Sequence, residues 1–212
     1  QQQKLPEART AFKQALALND QVYLIWEQLL RIQVSIGDYS AVIRDGETAL
    51  TIFPNQAPLY LYTGMAYSTA GQHEKAVSSL RNASALETED QEALGQIYSA
   101  LGNSYHALKK YRESNEAFEK ALEYSPQNTY TLNNYAYYLA LREENLARAE
   151  AMARLANQIE PGNPSFEDTY AWILFKMKKY QEAKTWMEKA IGDDGNNGTQ
   201  FEHYGDILFH LG

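Results

Sequence analysis

The chain contains no cysteine, so disulfides, thiolate nucleophiles and cysteine-ligated zinc are excluded and the redox compartment is left open. It is also poor in positive charge. Against 27 Asp and Glu stand 19 Lys and Arg, giving a formal net charge of −8 and a pI near 5.1. Such a surface repels phosphate backbones and anionic lipid, which excludes nucleic acid and membrane surfaces as expected partners and leaves basic or neutral peptides. No stretch approaches the roughly 18 apolar residues of a membrane span, so no direct membrane insertion is expected, and no basic, apolar leader opens the residues given. No phosphate-cradling glycine motif and no nucleophile elbow occurs.

Isolated fragments of catalytic or metal chemistry fare no better. The histidines, His73, His106, His203 and His210, are dispersed. His203, Asp206 and His210 share a helix face at spacings of three and four, which is ligand spacing of a kind, but no fourth ligand is evident. Asp193, Asp194, Asn196 and Asn197 superficially suggest a calcium loop, without its spacing or terminal Glu. Glu143-Glu144 reads as solvated charge on a turn. The expectation is no catalytic residue, no metal and no cofactor.

What the chain does have is periodicity. Hydrophobic content of 44% over 212 residues excludes a disordered tail, and an internal repeat of 34 residues organises it. The clearest unit, 95–128, places Tyr98, Leu101, Gly102, Tyr105, Tyr111, Ala117, Phe118, Ala121 and Pro126 in a fixed order. The same register runs through 23–56, 57–90, 129–163 and 164–197, with one extra residue in the Arg142–Leu146 turn and four, Gln91 to Leu94, inserted before Gly95. Residues 1–22 read as a second helix without its first, and 198–212 as a first helix without its second. Neither end carries the polar outer face of a capping helix, so the chain is expected to be a piece of a longer array or to pack its ends on a partner chain.

This pattern resembles that of the tetratricopeptide repeat: large at position 4, Leu–Gly at 7–8, aromatic at 11 and 17, Phe at 24, Ala at 27, Pro at 32. Ser114, at position 20 of the clearest unit, departs from the family's Ala. The resemblance implies an all-α, right-handed superhelical solenoid of antiparallel helix pairs, here about twelve helices in a single array. Small residues would let helix axes approach while large ones fill the gaps. Ten of the 16 tyrosines fall at positions 4, 7, 11 or 17, so tyrosine richness reads as packing rather than a cofactor site. Three local expectations follow. Gly46, where a large residue belongs, should leave a hole and make its unit the least stable. The four-residue insertion should lengthen a helix, with Thr88 and Gln91 as a capping box. The 191–198 run should be a flexible inter-repeat loop.

Function is expected on the face of each first helix that packing does not use, positions 2, 5, 6, 9, 12 and 13. In the resembled family that face lines a concave, peptide-binding groove. It carries Glu27 and Arg31, then Leu61, Tyr62 and Met65, then Ser99, Asn103 and His106. Further on it carries Tyr130, Asn133, Asn134, Tyr137 and Leu141, then Asp168, Thr169, Trp172 and Phe175, and last Glu202, His203, Asp206 and His210. Tyr130, Tyr137, Trp172 and Phe175 read as exposed aromatic anchors, and Asn103, Asn133 and Asn134 as donors and acceptors for an extended backbone. The competing reading is that these aromatics touch a neighbouring helix. The carboxylate clamp of the family's chaperone-binding members is not expected: Asn103 and Asn134 match its asparagines, but Ser99, Ser165 and Thr169 stand where its cations belong. The chain thus reads as a non-catalytic scaffold for a protein or peptide segment lying across the third to sixth units. The alternative is an oligomerising element whose terminal helices stack on other chains, and regulation of an attached catalytic domain would depend on sequence beyond these residues. Resemblance to long bacterial members of the family implies an envelope location, periplasmic side, with the cytoplasm as alternative.

Overall fold

The computed structural model describes residues 4–87, 89–192 and 197–212, and among these it contains twelve α-helices and no strand. They fall into two compact units, one up to Tyr124 and one from Ser125. The first holds α1 (Leu5–Leu18), α2 (Tyr23–Ser35), α3 (Tyr39–Ile52), α4 (Ala57–Thr69), α5 (His73–Leu86), α6 (Gln91–Ala107) and α7 (Tyr111–Tyr124). The second holds α8 (Thr129–Leu141), α9 (Leu146–Ile159), α10 (Pro164–Lys176), α11 (Tyr180–Ile191) and α12 (Gly198–Leu211).

Within each unit, first helices pack on their own second helices and on neighbouring first helices. In the first unit α4 meets α5, α2 and α6, and in the second α10 meets α11, α8 and α12. The cores follow from size alternation. Ala49, Ala66, Ala76 and Ala83 are fully buried beside Leu30, Leu59, Leu80 and Phe118, as are Ala136, Ala149, Ala156 and Ala183 beside Phe166, Ile173 and Met187. A methyl-sized contact lets helices close until the large side chains interlock. Ser114 serves as the small residue of its repeat: it is fully buried, and its hydroxyl donates to the Gly102 carbonyl at 2.9 Å.

The turn between paired helices needs one left-handed residue, at position 15 of every repeat. Gly37 (φ 75°) and Gly71 (φ 73°) supply it easily, whereas Lys109 (φ 59°), Glu143 (φ 54°) and Lys178 (φ 62°) adopt it with a Cβ. The extra residue before α9 is absorbed by a second left-handed position, Asn145 at φ 42°. Side-chain caps open several helices: Asp38 accepts from Ala41 N–H, Asn128 from Thr131, Asn163 from Ser165 and Asn197 from Thr199.

Two local expectations are corrected. The hole at Gly46 does not exist: Gly46 is buried, and a β-carbon there would collide with the Thr63 side chain of α4. Glycine at this position permits a close helix approach. The insertion does lengthen a helix, since α6 has 17 residues, but its cap is Asp90, which accepts from Glu92 and Ala93 N–H at 2.9 and 3.0 Å. Gln91 is therefore the first helical residue and not the third residue of a capping box; Thr88 lies outside the described residues. Of the 191–198 run, Ile191 ends α11, Gly198 opens α12, and 193–196 lie outside the described residues, so the proposed loop and most of the discounted calcium motif do too. Among the described residues no helix is long and apolar enough to cross a membrane.

Candidate functional site

In the second unit, α8, α10 and α12 turn the same repeat positions toward one another. The centre is a stack of rings. His203 of α12 lies flat on Trp172 of α10, centroids 4.0 Å apart and planes 17° apart, and Trp172 stacks in turn on Phe175 at 5.0 Å. Tyr137 of α8 approaches His203 at 6.5 Å, and His210 closes edge-on against Phe175 at 5.1 Å. Lys176 Nζ sits 4.8 Å above the Trp172 ring while reaching Glu143 at 3.2 Å, so a cation rims the stack.

The sequence reading made Trp172 an exposed anchor, and here the structure differs: Trp172 is only 8% exposed, and His203 is buried with it. The neighbouring first helix covers the indole, because position 9 of α10 faces position 6 of α12 across the repeat interface. Phe175 and Tyr137 are half-buried. Tyr130 alone of the four aromatics is widely exposed, at 62%, with its ring edge-on to Phe166 at 5.4 Å. Asp206 is exposed, and its backbone carbonyl accepts from His210 Nδ1 at 2.9 Å.

Asp168 orders this region. Its Oδ1 lies 2.9 Å from His203 Nδ1, both side chains being largely buried. A carboxylate acceptor holds the proton on Nδ1 and fixes the ring's orientation. Burial, then the negative charges of Asp168 and Glu202, push the Tyr137 phenol above its ordinary range, so it stays protonated. Beside them is a recess of about 260 Å3 whose lining includes Asn133, Tyr137, Ser165, Asp168, Thr169 and Thr199. Asn133 is 8% exposed, donates weakly to Asn134 Oδ1 at 3.4 Å, and keeps an enclosed Oδ1 with no hydrogen-bond partner.

Asn103 and His106 lie in the first unit, on the matching face of α6, both half-buried, with the His106 ring 5.5 Å from Tyr111. On that face of α2, Glu27 sits beside Tyr23 and Tyr62, whose phenols are raised by burial first and by the Glu27 charge after it. Leu61, read from the wheel as groove-lining, is a core residue. Thr199 was missed, and Ser165 was noticed only for lacking a positive charge. Both occupy position 2, the position that identified Tyr130, so the wheel held the signal. Asn157 was missed without any such signal: buried in α9, it donates to the Ala153 and Phe166 carbonyls at 2.9 and 3.0 Å and so ties α9 to α10.

Known proteins share the repeat. Residues 95–128 and 169–196 each match a tetratricopeptide repeat family profile. The small glutamine-rich tetratricopeptide repeat-containing protein 2 of Mycosarcoma maydis is 30% identical over 95 residues, 45% of this chain and 26% of that protein. A TPR repeat-containing protein of Pseudomonas aeruginosa is 26% identical over 137 residues, 63% of this chain and 22% of that protein. The chain therefore spans about a quarter of the length of these relatives, which are fungal and bacterial. Among solved structures, YrrB, described as a TPR protein with an unusual peptide-binding site, superposes with a TM-score of 0.65 at 16% identity, over 95% of this chain and 97% of that one. At such identity the likeness speaks for the fold.

Proposed function

Because this is a tetratricopeptide repeat protein, an interaction scaffold by family, we propose that the shared face of α8, α10 and α12 in its second unit holds an extended protein or peptide segment. The observation that carries this reading is the recess itself. Three successive first helices each contribute polar side chains to it, Asn133 and Tyr137, Ser165 and Asp168, then Thr199, at repeat positions 2, 5 and 9. Tyr130 of α8 and Asp206 of α12 stand in the open, suited to gripping a backbone that passes over the buried Trp172–His203 stack. The corresponding face of α6, with Asn103 and His106, offers the first unit a polar surface of its own kind. YrrB, with its peptide-binding site, is a precedent for a peptide on this fold. The protein acts here by binding, without a catalytic group.

A random twelve-residue peptide library, selected on the immobilised chain and followed by amide chemical-shift mapping, tests this. Shifts should concentrate on Tyr130, Asn134, Tyr137 and Asp206, and Tyr130→Ala with Asp206→Ala should weaken binding about tenfold. Shifts confined to α9 and α11, with α8, α10 and α12 silent, would refute the reading.

A second reading rests on α12. Phe201, Leu208 and Leu211 stay exposed there, and Phe209 is 83% exposed. Phe201 and Leu208 hold the positions that take the second helix in inner repeats, so this face can seat a helix of another chain. Sedimentation velocity across a hundredfold concentration range, on the parent and on Phe201→Ser with Leu208→Ser, separates self-association from a monomer.

A further inference from the structure

Resting on the peptide-groove reading above, we infer that the recess between α8, α10 and α12 is a specificity pocket for a basic side chain, lysine or arginine, of the bound segment. Its volume of about 260 Å3 falls below the roughly 300–1,000 Å3 of typical small-molecule sites, which suits one side chain rather than a whole ligand. The one charged side chain among its described lining residues is an acceptor. Asp168 brings a carboxylate with one oxygen on His203, Ser165, Thr169 and Thr199 bring hydroxyls, and no Lys or Arg lines it.

The independent mark of a missing donor is Asn133. Its Oδ1 is enclosed, on a residue more than nine-tenths buried that lines the recess, and it has no partner. An unsatisfied buried acceptor is costly; with no accessible surface of its own, this oxygen is reached by a ligand N–H when the Asn133 amide turns toward the recess, and that contact would satisfy it. The Tyr137 ring on the wall adds a face on which a cation is favoured. The chain's net charge of −8 draws such a segment in. The positions where Ser165 and Thr169 stand thus select the opposite charge from a carboxylate-clamping groove. His203 positions Asp168, and the Trp172 stack holds His203 in place.

The test uses the whole chain and peptides selected from the random library described above. Selected peptides should share a Lys or Arg. Replacing it by norleucine or citrulline, which keep length and lose charge, should weaken binding roughly ten- to a hundredfold by calorimetry, the range expected of a charge-assisted hydrogen bond. Asp168→Asn should do the same. Because Asp168 also holds His203, a second variant is needed: Ser165→Lys, at an exposed position, places a competing charge at the pocket without touching the stack. It should weaken the basic peptide at least tenfold more than it weakens the citrulline or norleucine analogue. Peptides that map to the face but lack a basic residue, or analogues that bind as well as the basic peptide, would overturn the pocket and leave the groove standing. Failure to select any peptide would overturn both.

Discussion

Gly64, Gly102 and Gly205 hold the same place, position 8, in three repeats, yet alanine should act oppositely at two of them. A β-carbon at Gly102 would lie 2.8 Å from each of three ring atoms of Phe118, itself fully buried. Ring carbons in a packed core cannot yield by the needed half ångström without pushing α7 away, and such overpacking costs about 1–3 kcal/mol. Helix propensity returns up to about 1 kcal/mol of this. Gly102→Ala should therefore destabilise the first unit by about 1–2 kcal/mol. At Gly205 nothing lies within 4 Å, so only propensity acts and Gly205→Ala should stabilise α12 by about 0.5–1 kcal/mol. At this chain length 1 kcal/mol moves Tm by about 2–4 °C. Native-state hydrogen exchange read by mass spectrometry resolves the two units separately, with faster exchange expected in α6 and α7 for Gly102→Ala and slower exchange in α12 for Gly205→Ala. Equal signs for the two changes, or an undamaged Gly102→Ala, would refute close helix approach as the reason for glycine at position 8.

Lys178 turns its backbone to φ 62°, a conformation costing a side-chain-bearing residue about 1–2 kcal/mol, partly offset by glycine's greater unfolded entropy. Lys178→Gly should raise stability by about 0.5–1 kcal/mol in thermal melts. The Tyr67 and Tyr170 phenols are each pushed up to about 12, by burial first and then by hydrogen bonds to Glu47 and Glu150 and the charges of those carboxylates. A folded pKa above the unfolded value of about 10 means that their stabilisation is complete below pH 10 and is lost as pH rises toward 12. Absorbance titration at 295 nm should show a late step that shrinks in Tyr67→Phe and again in Tyr170→Phe; tyrosinate formation complete near pH 10 would count against it.

The helices were legible because each repeat position has one duty. A small residue at 20 or 27 and a bulky one at 4, 7 or 11 state which side of a helix meets its partner, wherever the chain goes next. Two of the errors arose where a residue's neighbour lies far along the chain. Gly46 looked like a cavity because the side chain that meets it, Thr63, belongs to the next helix. Asp90 was passed over as a cap because a Thr–Gln pair three apart offered a competing start. Trp172 looked exposed because a helical wheel shows which way a side chain points and not how near the adjacent helix comes.

The amino-acid order alone determined that this protein is built of paired helices, where each turn falls, and which face of every first helix is left over by pairing. That much is local, written in a period of 3.6 residues inside a period of 34. Only the tertiary structure decided what happens on the leftover face: that His203 covers Trp172, that Asp168 reaches a histidine 35 residues away, and that Asn133 is enclosed with its oxygen unsatisfied. Burial depends on the distance between helix axes, and that distance is set by all the side chains between them at once.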